Sequence, residues 1–201
     1  MRGMTLPPEF SRSLTPEAVN ELPIRRYEGD VRLVETREGA ERAAADFAGE
    51  RIAGFDTETR PSFRAGESHP PALMQVATAR AVFLFPLLRG ELSATIGALL
   101  SSHRTLKAGV GVQDDLRQLS KVVAFTPAAI VDLGAIARRH GLDKSGVRTL
   151  AALFLGIRIP KATKTSNWAA RRLSPQQVAY AATDAWVCRE LYLKLEALGA
   201  L

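Results

Sequence analysis

Short apolar runs dominate the first half of the chain, and apolar residues recur at helical spacing through the second. Ile52–Phe55 is an apolar run that turns acidic at Asp56 and Glu58, which predicts a strand over 52–58. Two further runs, 72–77 and 81–85, predict a pair of strands around a tight turn at Thr78–Arg80, and 31–34 and 105–110 predict two more. Ala40, Ala43, Ala44 and Phe47 fall on one face of a helix over 36–47. Helical segments are expected near 92–100, 113–119, 131–139 and 149–155, with a long final helix from Pro175 to about Leu198. Ser174 can cap that helix, Pro175 suits its first position, and Gln177 completes a Ser-x-x-Gln capping box. Residues 1–24 contain Pro7, Pro8, Pro16 and Pro23 without sustained periodicity, so an extended N-terminal arm is expected, followed by one domain over 25–201. Strands early, helices late and alternation between them predict an α/β architecture, a mixed sheet covered by helices.

Composition fits that architecture. The 201 residues are 46% hydrophobic and 24% charged, enough to bury a substantial core. Twenty-seven Lys and Arg against 21 Asp and Glu leave a net charge of +6. Such a balance favours encounters with polyanions, nucleic acid among them, although it serves solubility equally well. The lone Cys188 excludes an intramolecular disulfide and a cysteine zinc cluster, and His69, His103 and His140 show no paired ligand spacing. A metal would have to be held mainly by oxygen, which suits Mg²⁺ or Mn²⁺. No stretch approaches the roughly 20 apolar residues of a membrane helix, and Pro7, Pro8, Glu9 and Arg12 do not fit a signal peptide. The expectation is a cytoplasmic protein with no membrane partner.

Four acids change the picture. Side chains alternate along a strand, so Asp56 and Glu58 share a face with Ile52 and Gly54. Two like charges aimed the same way are costly unless a cation sits between them; a strand end emerging into solvent is the plainer explanation of an isolated Asp-x-Glu. Asp184 lies on a stripe of the last helix with Tyr180, Cys188, Leu191 and Leu195, apolar but for Asp184 and the Tyr180 hydroxyl. No Lys or Arg falls within a turn of it on that stripe, so it needs either a partner or a hydrated margin. Asp114 and Asp115 open a helix after a strand, with Gly109 and Gly111 permitting a tight turn. The helix dipole accounts for acids there without any catalysis.

Three blocks stand in order: Phe55-Asp56-Thr57-Glu58-Thr59, Gly109-Val110-Gly111-Val112-Gln113-Asp114-Asp115-Leu116, and Tyr180-Ala181-Ala182-Thr183-Asp184. Together they resemble the DEDD exonuclease superfamily, in the subclass that has Tyr four residues before the last Asp. The most similar members are the Werner-type exonuclease domain and the ribonuclease D catalytic domain. Ser166-Asn167-Trp168 and Leu173 extend the likeness, which covers about residues 28–198.

The resemblance implies a ribonuclease H-like fold with a mixed sheet of about five strands flanked by helices. It implies a hydrolase that releases nucleoside 5′-monophosphates from DNA or RNA 3′ ends. It also implies two divalent cations, Mg²⁺ or Mn²⁺, with Asp56 bridging both, Glu58 and Asp184 completing the first ion's coordination, and Asp115 supporting the second ion through water. Tyr180 would orient the attacking water. The resemblance, not helix geometry, selects Asp115 over Asp114. The candidate nucleic-acid contacts are Thr57, Phe63, Lys161, Lys164, Ser166 and Asn167. The segment from Arg158 to Trp168 carries cations and hydroxyls able to hold phosphate, and Phe63 could stack on a terminal base, though a loop anchor is its plainer reading. Trp168 fits core packing. Ribonuclease D carries helical nucleic-acid-binding domains after its catalytic domain, whereas this sequence stops at Leu201. Homo-oligomerisation or very short oligoribonucleotide substrates are the expected compensation. A catalytically silent binding scaffold is the other alternative, and the presence of all four acids and the tyrosine counts against it.

Overall fold

The computed structural model describes residues 14–62, 69–89, 92–161 and 166–201. A six-stranded mixed sheet forms its centre. The strands are β1 (Asp30–Leu33), β2 (Ile52–Thr59), β3 (Pro71–Ala77), β4 (Ala81–Pro86), β5 (Leu106–Gly109) and β6 (Ile130–Asp132). Their spatial order is β1-β4-β3-β2-β5-β6. β2, β3 and β4 form an antiparallel meander, and the other pairings are parallel.

Helices α1 (Pro16–Glu21), α2 (Arg37–Ala48), α3 (Ser93–Ser101), α4 (Val112–Leu119), α5 (Leu133–Arg139), α6 (Val147–Leu150) and α7 (Pro175–Ala197) surround the sheet. On one face, α2, α3 and α4 cover a core of Phe47, Met74, Phe83, Phe85 and Leu100. The Phe47 ring meets Phe83 edge-on at 5.0 Å, a contact worth about 0.5–1.5 kcal/mol beyond its burial. On the other face α7 lies across β2, β3 and β4, with Ala181, Ala182 and Ala185 against Leu73, Ala77 and Leu84. Small residues in that part of α7 bring helix and sheet close together. The expected capping box at Ser174 and Gln177 is present.

Three elements differ from the sequence expectation. Residues 131–132, expected to begin a helix, instead join Ile130 in the sixth strand, paired with β5 at Lys107, Ala108 and Gly109. A three-residue apolar-to-acidic run has no period of its own, and the open edge of β5 decides its conformation. Asp132 then caps α5 by accepting from Ala135 N at 3.0 Å. The expected helix over 149–155 is the short α6 continued by a π turn, Ala151–Leu155, which Gly156 ends at φ +63°. Residues 16–21, expected to be extended, form α1, capped by Thr15 with Pro16 at its start. The chain after α1 is fastened by two backbone hydrogen bonds, Arg25 N to Arg158 O and Arg158 N to Pro23 O, each 2.9 Å. Among the described residues, no helix is long and apolar enough to cross a membrane.

Candidate active site

The acids converge because three elements meet at one end of β2. Gly54, on the face of β2 that α7 covers, has no room for a side chain: a Cβ there would run into the carbonyl oxygen of Ala185. This contact brings α7 onto β2 one residue away from Asp184. On the same strand face, Asp56 and Glu58 then reach the same space. Carboxylate oxygens of Asp56, Glu58 and Asp184 all lie within 4.8 Å of one another. Asp184 is almost wholly buried, which discards the hydrated-margin explanation for it.

Asp115 reaches the group from α4. Gly109 provides the approach, since a Cβ there would stand 2.5 Å from the Phe55 carbonyl oxygen, and Gly111 turns the chain at φ +74°. The hydroxyl of Thr57, expected among the nucleic-acid contacts, donates to Asp115 Oδ1 and ties the α4 acid to β2. Asp114 points away, exposed and paired with Arg117 at 2.6 Å.

Electrostatics follow from this crowding. Burial, and then the charges of Asp184, Glu58 and Asp115, push the Asp56 carboxyl well above its ordinary range. Burial and the charges of Asp184 and Asp115 raise Glu58 to about 8. Burial raises Asp184 to about 6, against the hydrogen bond from Tyr180 and the positive charge of Arg148, which favour its ionised form. Asp115 is also raised, first by burial, with the Thr57 hydrogen bond opposing. Among the described residues, no Lys or Arg forms an ion pair with any of the four. An all-oxygen donor set, partly dehydrated and without an ion-paired Lys or Arg among the described residues, fits one or more hard divalent cations.

Tyr180 stands one turn before Asp184 and donates its hydroxyl to that carboxylate, and burial followed by the acids' charges pushes its own pKa up. Its ring lies 6.0 Å from that of Trp168, which is buried as core packing requires. Asn167 is used locally, its Oδ1 accepting from Ala169 N at 3.1 Å and its carbonyl accepting from Gln177 Nε2 at 3.2 Å. Ser166 is half-buried and Lys161 exposed. Phe63 and Lys164 lie outside the described residues.

Two residues escaped the sequence reading. Arg148, in α6, acts on Asp184 through its charge, and only the fold brings it near. Gln75 lies across the strand pair from Asp56; its signal was a single carboxamide inside the apolar run of β3.

Comparison with known proteins agrees with this geometry. A family model described as 3′–5′ exonuclease matches residues 31–199. The chain is 31% identical over 169 residues to a ribonuclease D of Acidiphilium cryptum, covering 82% of this chain and 42% of that protein. It is 30% identical over 149 residues to exonuclease 3′-5′ domain-containing protein 2 of Drosophila melanogaster, covering 72% of this chain and 25% of that protein. It thus spans less than half the length of either relative. Among solved structures, the Aedes aegypti Nibbler EXO domain superposes with a TM-score of 0.75 at 23% identity, covering 87% of this chain and 92% of that one. Escherichia coli RNase D superposes with a TM-score of 0.70 at 20% identity, covering 86% and 47%. These likenesses show the ribonuclease H-like exonuclease fold. With the match spanning β1 to the end of α7 and the acids gathered as described, the chain belongs to the 3′–5′ exonuclease family.

Proposed function

We propose that residues 25–201 form a two-metal-ion exonuclease domain that hydrolyses the terminal phosphodiester at a nucleic-acid 3′ end and releases nucleoside 5′-monophosphates. The observation that carries this reading is the meeting of Asp56, Glu58 and Asp184 oxygens within 4.8 Å, with no ion pair from Lys or Arg to any of them among the described residues. In this assignment Asp56, Glu58, Asp184 and Asp115 would hold the ions, Mg²⁺ or Mn²⁺, with Asp56 shared between the two, Glu58 and Asp184 serving the first and Asp115 the second. Bound there, the ions would acidify the attacking water and stabilise the departing 3′ oxygen.

The protein's own groups do the rest. Tyr180, held by Asp184 and protonated at neutral pH, orients the attacking water and does not deprotonate it. Thr57 keeps Asp115 in place. A groove of about 970 Å³ runs between α1 and the α5–α6 segment, and among the described residues that line it Arg26, Lys144, Arg148, Arg158 and Lys161 face a single acid, Asp143; Arg148 links it to the acids through its charge on Asp184. That imbalance suits a phosphate backbone. Relatives named ribonuclease D make RNA the first substrate to test.

The experiment is to incubate 5′-labelled 20-nucleotide RNA and DNA strands, and a dinucleotide, with Mg²⁺ or Mn²⁺. A ladder shortening from the 3′ end, with 5′-monophosphate products, is expected. No shortening of any substrate with either ion would leave a silent binding scaffold as the better account.

A further inference from the structure

Strand β3 breaks its apolar pattern once. Among Ala72, Leu73, Met74, Val76 and Ala77 stands Gln75, fully buried, and neither its Nε2 nor its Oε1 has a hydrogen-bond partner. Every neighbour in the strand is also buried, so no solvent reaches the amide along β3. A carboxamide with both ends unsatisfied is costly inside a core, and a leucine or methionine would occupy similar volume without that cost.

Its place in the sheet shows what the amide can reach. Gln75 is the cross-strand partner of Asp56. Residues opposed in an antiparallel pair share a face, with Cβ atoms about 4.5–5.5 Å apart. Rotation of the longer glutamine side chain can bring its amide to the carboxylate. Its other strand neighbour on that face, Leu84 of β4, is apolar, as are Ala181, Ala182 and Ala185 of α7, which pack over this part of the sheet.

We propose that Gln75 is a positioning residue of the cation site. Its Nε2 would donate to the Asp56 carboxylate when that group holds a cation, fixing the plane in which Asp56 offers its oxygens. The proposal rests on the reading of Asp56 as a cation ligand. It assigns Gln75 no contact with substrate. Partners that orient a ligating carboxylate typically change metal affinity about 10–100-fold when removed.

The test compares wild type with Gln75→Met and Gln75→Leu. Thermal melting is read in EDTA, and Mn²⁺ binding is read by titration calorimetry. The apolar variants should melt at or above the wild-type temperature in EDTA, because an unsatisfied amide is gone. They should bind Mn²⁺ about 10–100-fold more weakly, and high Mn²⁺ should restore their cleavage rate. Equal Mn²⁺ affinity in all three proteins overturns the proposal and leaves the cation site standing. If both variants melt well below wild type in EDTA, the amide serves the metal-free fold and the proposal is overturned. A wild-type protein that takes up no Mn²⁺ at all overturns the cation site itself and this role with it.

Discussion

The Cα of Gly54 lies so close beneath the carbonyl oxygen of Ala185 that no side chain fits between β2 and α7. Gly54 is two residues before Asp56, and Ala185 directly follows Asp184, so this one contact sets how near the two acids stand. Gly54→Ala would force backbone against backbone, which cannot relax as a flexible side chain can. A loss of about 3 kcal/mol or more is expected, at or above the usual upper end for overpacking. Urea unfolding measures it, and a midpoint unchanged from wild type would show that α7 does not need this approach.

Asp56→Asn separates stability from chemistry. Asp56 is crowded by Asp184, Glu58 and Asp115, so removing its charge should leave the metal-free protein as stable as before or more so. Cleavage should fall roughly 10³-fold or more, because the group assigned to both ions is gone. Melting in EDTA and single-turnover cleavage read the two effects separately. Near-wild-type turnover would mean the site is misassigned.

The acids also predict how stability varies with pH. Glu58 rises from 4.5 to about 8, and Asp184 from 3.8 to about 6. Between the unfolded and folded values the native state binds more protons than the unfolded chain, so stability falls as pH rises. In EDTA this contribution is full below about pH 4, declines across pH 4–8, and is flat above. Glu58→Gln should flatten the slope between pH 5 and 8 relative to wild type. Added Mg²⁺ competes with those protons, so the rise in melting temperature it confers should be larger at pH 8 than at pH 6. A wild-type slope identical to that of Glu58→Gln would contradict the crowding described here.

Tyr180→Phe keeps the ring against Trp168 and removes the hydroxyl that Asp184 accepts. A drop in kcat of about 10- to 100-fold with unchanged Mn²⁺ affinity is expected of a group that orients water. An unchanged kcat would reduce Tyr180 to a packing residue.

The groove between α1 and the α5–α6 segment predicts a salt signature. Lys144→Glu and Lys161→Glu remove cations that face a single acid. Each should weaken single-strand binding and lower the slope of log K against log salt by about 0.7 or more. Fluorescence anisotropy at several KCl concentrations measures it, and slopes equal to wild type would place the strand elsewhere.

Much of this was legible in the order of residues. The apolar run ending at Asp56 and Glu58 made β2, and the Ser174–Gln177 capping box started α7 where expected. Both signals are local, carried by alternation and by side chains meeting nearby backbone. The short strand β6 was not legible because it depends on a partner distant in sequence, β5, whereas helix α1 carries local signals, Thr15 as its cap and Pro16 at its start, which the proline-rich reading of residues 1–24 passed over.

For the site, the sequence alone supplied the acids, the tyrosine and the glycines that permit close approach. It could not say that Asp184 is buried against Asp56 and Glu58, that Thr57 gives its hydroxyl to Asp115, or that Gln75 lies opposite Asp56. Those relations join α4, α7 and neighbouring strands across long stretches of chain. They arise only when the sheet sets its register and α7 settles onto Gly54, because hydrogen-bond reach is a property of space and not of order along the chain.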